Sequence, residues 1–267
     1  MPERAIPFSP PLPSMTAGSL EVRLAATPED LALAQELRYR VFCEEMGASG
    51  DDLARRDSDA FDTICDHMLV VDHARDNTGN PVVGNYRLLR RSRLPQGKRF
   101  YSESEYDISC LLAMEGDILE LGRSCVDSDY RTGVAMQLLW RGIGAYVQHY
   151  QVPLMFGCAS LPGVDPSGHV QALSYLHHFH KAPPELCPAA LPSRLLNFTP
   201  LPKEQVDSRR APALLPPLIK GYLRAGGMIG EGAVLDHEYN TTDVCVVVRI
   251  DAVTARYRNR YAPTAET

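Results

Sequence analysis

Apolar residues recur along this chain with two different periods. A period of two, or a short apolar run bounded by turn residues, is typical of a β-strand. Segments of this kind predict strands at residues 20–25, 68–72, 82–89, 118–126, 153–158 and 243–250. The turn-forming sequence NTGNP at 77–81 predicts that the second and third of these strands are joined directly.

A helix is predicted directly after the first strand. Thr27 stands at the position of an N-cap, and Leu33, Leu37 and Val41 follow at helical spacing, which gives the helix one apolar face. Gly47 is a suitable terminator, because glycine readily adopts the left-handed conformation that ends many helices.

Two further helices are predicted at 134–147 and 213–225. The first carries a continuous apolar stripe and follows the strand at 118–126 after one short turn. Helices that alternate with strands in this order predict an α/β fold with a central sheet.

The distribution of proline divides the chain into four parts. Residues 1–19 are predicted to be a disordered lead-in, neither a signal peptide nor an anchor, and 20–250 a single domain. Within that domain the proline-rich segment 161–230 is predicted to be a largely helical insertion or cap before the last strand. Residues 251–267 form a predicted basic tail.

Charge, cysteine content and hydropathy exclude several classes of protein. A formal net charge of −6 does not suit a protein that binds nucleic acid. The seven cysteines include no CxxC pair, which argues against a disulfide framework and against a zinc site. No apolar run approaches the ~20 residues that a membrane-spanning helix needs. We therefore expect a cytoplasmic protein without a bound metal.

Basic residues are nevertheless unevenly spread. Six of them lie between Arg87 and Arg99 with no acid among them, and Arg256, Arg258 and Arg260 follow near the C-terminus. Each group is either a solvated loop or a surface that attracts an acidic partner.

Several charged residues stand at positions suited to an amino-acid substrate. Arg38 and Phe42 share one face of the first helix, and Arg87 lies inside an apolar strand. Asp62 and Asp66 punctuate the loop between them. Arginine can bind a carboxylate through two parallel hydrogen bonds, and aspartates suit ammonium groups. For each possible pair, a structural salt bridge is the alternative interpretation.

Glu120 and Arg123 form a further charged pair within the strand at 118–126. Because their separation is odd, a regular strand would point the two side chains to opposite faces. They can share one cleft only if the strand is irregular, and we predict a bulge at Gly122.

A candidate anion site lies where this strand feeds the next helix. The sequence RTGVA at 131–135 includes Arg131, Thr132, Gly133 and Ala135. The first N–H groups of a helix, together with its dipole, favour a phosphate there. The motif is weak by itself, since many turns between a strand and a helix contain glycine.

Three other patterns are interpreted as structural. His67 and Asp72 match the H-x4-D pattern of glycerolipid O-acyltransferases, but on a strand this spacing separates the two side chains. The histidines within 177–180 lack a nearby cysteine or carboxylate at ligand spacing, so a surface or packing role is expected. Cys125 and Cys158 lie in apolar strands and are expected to be core residues. The chain has no GxSxG nucleophile motif.

Taken in order, the motifs resemble one family. They are RYRVFCEEMGA at 38–48, FDTICDH at 61–67, VVGNYRLL at 82–89, FYSESEYD at 100–107, ELGRSCV at 120–126, FGCAS at 156–160, LPPLIKGYLRAGG at 215–227 and EYNTTDV at 238–244. Over residues 20–250 the chain resembles the L-ornithine Nα-acyltransferases of ornithine-lipid synthesis.

A more distant similarity connects the chain to the acyl-homoserine-lactone synthases. Arg38, Phe42, Arg87, Glu120 and Arg123 match positions of their pattern. The acidic pair of that family falls near residues 62 and 66 with a spacing one residue longer. The tryptophan that follows the phenylalanine in that family is missing here, and the segment after residue 160 also differs.

The first resemblance implies a GNAT-like mixed sheet flanked by helices. The implied reaction joins 3-hydroxyacyl carrier protein and L-ornithine to give lyso-ornithine lipid and holo carrier protein. It needs no cofactor beyond the phosphopantetheine of acyl carrier protein. The implied partners are that carrier and ornithine, and a peripheral contact with the inner face of the membrane is compatible with this activity.

The resemblance also implies roles for the charged residues. Glu120 would be the general base, directly or through water, with Arg123 beside it. Arg38, Phe42 and Arg87 would belong to the substrate site and bind carboxylate or phosphopantetheine.

Two further sets of residues receive roles from the same resemblance. Asp62 and Asp66 would bind the ammonium groups of ornithine. The helix start at Gly133 would hold the pantetheine phosphate, and the basic segment at 87–99 would meet the acidic carrier protein.

Three alternatives remain open at this level. The same chemistry on glycine, glutamine or lysine fits the residues equally well. A synthase of the homoserine-lactone type is the second alternative, and the departures from that family's pattern argue against it. A protein that binds acyl carrier protein or acts on membranes without catalysis is the alternative from another class.

Overall fold

The computed structural model describes residues 8–50, 53–75, 79–131 and 133–253. The chain falls into two units, of which the first comprises residues up to Lys98 together with Leu121–Gln151. The second comprises Arg99–Glu120 and Val152–Thr254. The single domain predicted over 20–250 is thus divided, because the chain leaves the first unit, returns to it and leaves again.

The first unit is built on a sheet whose strand order is β1-β2-β3-β4-β6. The strands are β1 (Met15–Ala17), β2 (Leu20–Leu24), β3 (Asp66–Asp72), β4 (Val82–Arg90) and the later part of β6 (Ile118–Val126). β2 is antiparallel to both β1 and β3, and β3 is antiparallel to β4. The predicted strands at these positions are confirmed.

One strand lies where the sequence predicted disorder. Met15–Ala17 forms β1, with Met15 paired to Val22 and Ala17 to Leu20. The prediction of a disordered lead-in over 1–19 is therefore wrong for this segment, because its backbone pairs with the edge of β2. Residues 1–7 of that lead-in lie outside the described residues.

Two helices cover opposite faces of β3. Helix α1 (Pro28–Tyr39) begins at Thr27, whose hydroxyl accepts the Asp30 N–H at 3.1 Å as predicted. Leu37 of α1 packs in one core cluster with Leu69 and Val71. Helix α3 (Val134–His149) meets the other face, where Gly142 lies against Met68. Adjacent strand residues point to opposite faces, which produces this arrangement.

The end of α1 departs from regular helix geometry. It continues as a π-helical turn at Arg40–Glu45, and Gly47 follows with φ +77° at the predicted terminator. Single π-helical turns often occur at functional sites, and Phe42 lies in this one. Phe42 is partly buried and packs against the core cluster of α1.

The second unit has its own set of strands. The first residues of β6 pair in parallel with β7 (Leu154–Pro162), from Ile118–Leu154 to Glu120–Phe156. β7 is antiparallel to β11 (Thr241–Arg249), which also pairs with β9 (Met228–Ile229) and β10 (Val234–Asp236). The strands β5 (Tyr106–Asp107) and β8 (Ala189–Ala190) form a separate ribbon.

The helices of the second unit are short. They are α2 (Ser109–Leu112), α4 (Val170–His180), α5 (Ala211–Leu214) and α6 (Pro217–Arg224). The single helix predicted at 213–225 is wrong, because Leu215 and Pro216 are extended and each precedes a proline. The predicted insertion at 161–230 therefore contains short helices, the short strands β8 and β9, and irregular chain between them. From residue 254 the basic tail lies outside the described residues.

Within the described ranges, every helix is too short or too polar to cross a bilayer.

Candidate active site

Arg38 lies at the centre of a buried ion-pair network in the first unit. Its side chain is fully buried in the last turn of α1. Two of its nitrogens bind the Asp62 carboxylate at 2.9 and 2.7 Å, which is the two-pronged geometry that favours arginine. Its Nε lies 2.8 Å from the Asp57 carboxylate. Arg38 therefore joins α1 to the loop that precedes β3.

Two more arginines complete this network. Arg87 of β4 donates to Asp59 at 2.7 Å and to Asp62 at 3.1 Å. Arg123 of β6 donates to Asp59 at 3.1 Å and lies 3.4 Å from Asp57. The network thus contains three arginines and three aspartates, so its formal charges cancel. A substrate that approaches it meets a site that the protein has already neutralised.

Burial and the charges of this network shift the pKa values of Asp62 and of the neighbouring His67. Burial opposes ionisation of Asp62, but Arg38 and Arg87 outweigh burial and hold the pKa of Asp62 well below its usual range. Burial lowers the pKa of the neighbouring His67 to about 4. The His67 ring is therefore neutral at pH 7, and its Nε2 lies 3.0 Å from the Asp62 carbonyl oxygen.

Asp66, the second acid predicted to bind an ammonium group, is also engaged by the protein. The Tyr146 hydroxyl donates to it at 2.6 Å, and the Ser9 hydroxyl donates at 3.0 Å. Arg93 forms an ion pair with it at 3.4 Å. Asp66 is 3% exposed, and this set of partners is what allows the carboxylate to be buried.

The irregularity predicted in β6 is present but displaced by one residue. Arg123 has φ +49°, a left-handed conformation that costs a residue other than glycine about 1–3 kcal/mol. The predicted position, Gly122, is therefore wrong, because the strained conformation lies at Arg123. The Asn85 amide donates to the Arg123 carbonyl at 2.8 Å and holds this conformation. That Glu120 and Arg123 reach one cleft stays a prediction.

Glu120 is held by the backbone of the second unit. Its two oxygens accept the N–H groups of Tyr101 at 3.0 Å and Ser102 at 2.7 Å, at the start of a 3₁₀ turn (Tyr101–Ser104). The residue is 6% exposed. It also forms the last pair of the parallel β6–β7 ladder, opposite Phe156. These contacts fix the orientation of the carboxylate.

The cysteines near these strands are protonated thiols. Burial raises the pKa of Cys125 to about 12. Burial, together with the Glu105 carboxylate, raises the pKa of Cys158 well above its usual value. Cys125 is buried as predicted, whereas Cys158 is only partly buried. Because the thiolate is the nucleophilic form, neither residue suits covalent catalysis at pH 7.

The candidate phosphate site has a suitable backbone at the start of α3. Gly133 is the N-cap with φ +106°, a conformation that favours glycine. Arg131 is half-exposed and pairs with Glu45 at 2.6 Å, and Ala135 is buried. Thr132 lies outside the described residues. A phosphate at this helix start stays a prediction.

The basic segment at 87–99 is less exposed than its composition suggested. Arg87 belongs to the buried network described above. Arg90 stacks 3.5 Å from the centre of the Tyr150 ring, and Arg93 pairs with Asp66. These three arginines therefore do not form a continuous basic surface, although Lys98 and Arg99 are exposed. The second basic group, at 256–260, lies outside the described residues.

The side chains of the H-x4-D pattern and of the histidine cluster at 177–180 contact different partners. His67 contacts the Asp62 carbonyl, whereas Asp72 accepts the Tyr130 hydroxyl at 2.5 Å. His178 contacts the Leu201 carbonyl oxygen at 2.7 Å, which is a packing role. Across the described segments, the three-residue group of potential metal ligands whose atoms approach within 4.8 Å contains no histidine.

Some residues of the site were not found from the sequence. Asp57 lies in a loop with several other acids, so its partners could not be chosen by spacing. Tyr101 and Ser102 contribute backbone N–H groups, which leave no signal in side-chain identity. Glu105, Asp236 and Asp243 form the group of potential ligands mentioned above, and they come from distant parts of the chain.

Comparisons with known proteins identify relatives of this chain. A profile of the acetyltransferase (GNAT) domain matches residues 37–141. The chain is 44% identical to the L-ornithine N(alpha)-acyltransferase of Brucella abortus, over 93% of this chain and 90% of that protein. It is 45% identical to the L-ornithine N(alpha)-acyltransferase of Agrobacterium fabrum, over 93% and 87%.

A solved structure supports the fold. The AHL synthase LasI superimposes with a TM-score of 0.50 at 13% identity, covering 93% of this chain and 98% of that one. This likeness confirms the predicted GNAT-like mixed sheet with flanking helices, and the identity is too low to transfer a substrate. The sequence similarity is much stronger, and it shows that the chain belongs to the L-ornithine N(alpha)-acyltransferase family.

Proposed function

We propose that this protein transfers a 3-hydroxyacyl chain from acyl carrier protein to the α-amine of L-ornithine, giving lyso-ornithine lipid. The observation that carries the proposal is the similarity to proteins named L-ornithine N(alpha)-acyltransferase over 93% of the chain. The geometry of Glu120 supports the chemistry, because a general base must be held in a fixed orientation. A peripheral contact with the inner membrane would suit the amphiphilic product.

The reaction needs no covalent intermediate. Glu120, directly or through water, takes a proton from the α-ammonium of ornithine. The free amine attacks the thioester carbonyl, a tetrahedral oxyanion forms, and its collapse breaks the C–S bond. As the amide forms, its nitrogen releases a second proton, which the departing pantetheine thiolate takes up, and Glu120 passes its own proton to solvent. The protonated state of Cys125 and Cys158 agrees with direct transfer.

The arginines of the first unit differ in accessibility, and this suggests different roles. Arg38 is fully buried, so we propose that it positions the loop of Asp57 and Asp62. The Arg123 side chain is 10% exposed, which makes it the better candidate for a carboxylate or pantetheine oxygen. The helix start at Gly133 remains the proposed phosphate site.

The first experiment identifies the donor and the acceptor. The purified protein is incubated with 3-hydroxyacyl carrier protein or with the same acyl chain on coenzyme A. Ornithine, lysine, glutamine and glycine are offered in turn, and products are read by mass spectrometry. Nα-acylornithine should form fastest, and with the carrier protein as donor. Acylation of another amino acid without acylornithine would contradict the substrate, and preference for coenzyme A would contradict the donor.

The second experiment tests Glu120. The Glu120→Gln variant should lose about 10²–10⁴-fold in kcat, which is the usual contribution of a general base. Glu115→Gln makes the same chemical change at an exposed acid of the second unit and should leave kcat unchanged. Full activity of Glu120→Gln would remove Glu120 from the mechanism.

A further inference from the structure

Three buried carboxylates lie together in the second unit. Glu105 is 1% exposed, and Asp236 and Asp243 are each 5% exposed. One oxygen of each lies within 4.8 Å of an oxygen of the others. Glu105 directly follows the 3₁₀ turn that binds Glu120, whereas the two aspartates belong to β10 and β11. We call these three residues the carboxylate cluster.

The fold brings the cluster together through strand register and one tyrosine. Asp236 of β10 is paired with Thr241 of β11, and Asp243 lies two residues further on, so both aspartates share one face. The Tyr106 hydroxyl donates to the Asp243 carbonyl at 2.9 Å. This bond holds the chain next to Glu105 against β11 and places the third carboxylate beside the other two.

The cluster differs in charge from the ion-pair network of the first unit. That network matches three aspartates with three arginines, whereas Arg194 is the cation that acts on Glu105 here. Among the described residues, Oε2 of Glu105 has no hydrogen-bond partner, although its residue is 99% buried. A buried acceptor in this condition is costly, and a cationic ligand with N–H donors would satisfy it.

The cluster is connected to Glu120 by direct contacts on one face of the sheet. Ser102 donates its N–H to Glu120 at 2.7 Å, and its hydroxyl lies 3.6 Å from the Cys158 sulfur. After burial, the Glu105 carboxylate is the strongest influence on the pKa of the Cys158 thiol, which it raises. The register agrees, since Glu120 is paired with Phe156, two residues from Cys158 on β7. The cluster thus lies a few side chains from the proposed base.

A cavity borders the cluster at Asp236. It has a volume of about 630 Å³, and its lining includes Asp236, Arg194 and the exposed Glu238. A volume of this size holds a small polar metabolite with room for water.

We propose that Glu105, Asp236 and Asp243 bind the side-chain ammonium of the acceptor amino acid and so direct its α-amine toward Glu120. The inference rests on the proposed function, because it names the groups that would recognise ornithine. An ammonium carries three N–H donors, and three carboxylates can accept one each. A calcium ion would need six to eight oxygen ligands, which is more than the cluster supplies. The two nitrogens of extended ornithine are about 6 Å apart, which is the reach that the proposal requires between the cluster and Glu120.

The assignment differs from the one that the sequence suggested. Asp62 and Asp66 were the predicted ligands of the ammonium groups, but each is already bound to arginine within the first unit. An added ammonium there would compete with arginine for carboxylates of a neutral network. In the carboxylate cluster an ammonium reduces an excess of negative charge, which is the more favourable exchange.

The test compares two acceptors of equal length. L-norvaline has the carbon skeleton of L-ornithine without the side-chain ammonium. Wild-type kcat/KM should favour ornithine by roughly tenfold or more, as loss of a charge-assisted hydrogen bond predicts. Asp243→Asn and Glu105→Gln should lower kcat/KM for ornithine by roughly tenfold and leave norvaline unchanged. Glu115→Gln removes an exposed carboxylate that lies outside the cluster and the cavity, and it should change neither.

The outcomes separate this inference from the proposed function. If wild-type protein acylates no ornithine, the proposed function fails. If it acylates ornithine but the ornithine-to-norvaline ratio is the same in all variants, only the carboxylate cluster is ruled out. Should the variants not fold, absence of wild-type preference for ornithine over norvaline overturns the inference. A thermal shift with calcium or manganese chloride that Asp243→Asn abolishes, with selectivity unchanged, would identify a metal site and also overturn it.

Discussion

Replacement of Glu105 by glutamine should change how stability depends on pH. Burial raises the pKa of Glu105 to about 7, and Asp243 and Asp236 act in the same direction. The Cys158 hydrogen bond and the charge of Arg194 act in the opposite direction without overcoming burial. The folded protein therefore keeps this proton up to about pH 7, whereas the unfolded chain releases it near the ordinary glutamate pKa of 4.5.

The sign and size of the effect follow from these two values. The proton stabilises the folded state fully below pH 4.5, and this stabilisation is lost as pH rises to about 7. The interval spans about 2.5 pH units, and each unit corresponds to about 1.4 kcal/mol, so the total is about 3 kcal/mol. Glutamine is uncharged at every pH and removes this dependence.

Because His67 contributes to the pH dependence over the same range, the effect of Glu105 has to be read from the difference between wild type and Glu105→Gln. Burial lowers its pKa from 6.5 to about 4, so the unfolded chain takes up a proton before the folded protein does. Its contribution to stability is lost as pH falls from 6.5 to 4, which opposes the slope from Glu105 over the same range. The wild-type profile alone would therefore hide both groups. The difference between wild type and Glu105→Gln cancels the part due to His67.

The measurement is urea unfolding followed by circular dichroism at several pH values between 4.5 and 8. The free energy of unfolding of Glu105→Gln, relative to wild type, should rise by about 3 kcal/mol across this range. Glu115→Gln, an exposed change in the same unit, should give a constant difference from wild type. Parallel profiles for wild type and Glu105→Gln would refute the idea that Glu105 is protonated in the folded protein.

Two further predictions concern packing and ion pairs in the first unit. Arg38→Met leaves two buried aspartates without their shared cation and should lower the free energy of unfolding by about 3–5 kcal/mol. A loss below about 1 kcal/mol in calorimetry would show that the network relaxes. Gly142→Ala places a methyl 2.7 Å from the Met68 sulfur and 2.9 Å from Val22, and should cost about 1–3 kcal/mol. Gly122→Ala, where a methyl meets nothing within 4 Å, is its control, and equal stability of the two variants would contradict the packing argument.

Periodicity identified most of the regular elements because each depends on contacts within one segment. The alternating residues before Thr27 form β2, and the apolar stripe after Gly133 forms α3. The errors occurred where the apolar pattern of one segment did not decide its structure. Leu215 and Pro216 break a segment that is otherwise of helical composition. Met15–Ala17 becomes a strand only because the edge of β2 is available to it.

The sequence indicated that charged residues form the site, and the family resemblance assigned roles to Glu120 and Arg123. Their partners were decided by folding. Arg38 meets Asp62 across 24 residues and Arg123 meets Asp59 across 64, distances at which sequence spacing carries no geometric information.

The carboxylate cluster illustrates the same limit most clearly. Glu105 and Asp243 lie on strands and turns far apart in the chain, and each is an unremarkable acid in its own segment. The pleat of β11 and one bond from Tyr106 bring them within 4.8 Å of each other. Local patterns along the chain determine which segments fold and which residue types are present. Whether a carboxyl group is ionised beside arginine, as Asp62 is, or keeps its proton up to about pH 7, as Glu105 does, depends on burial and neighbours that exist only in the folded protein.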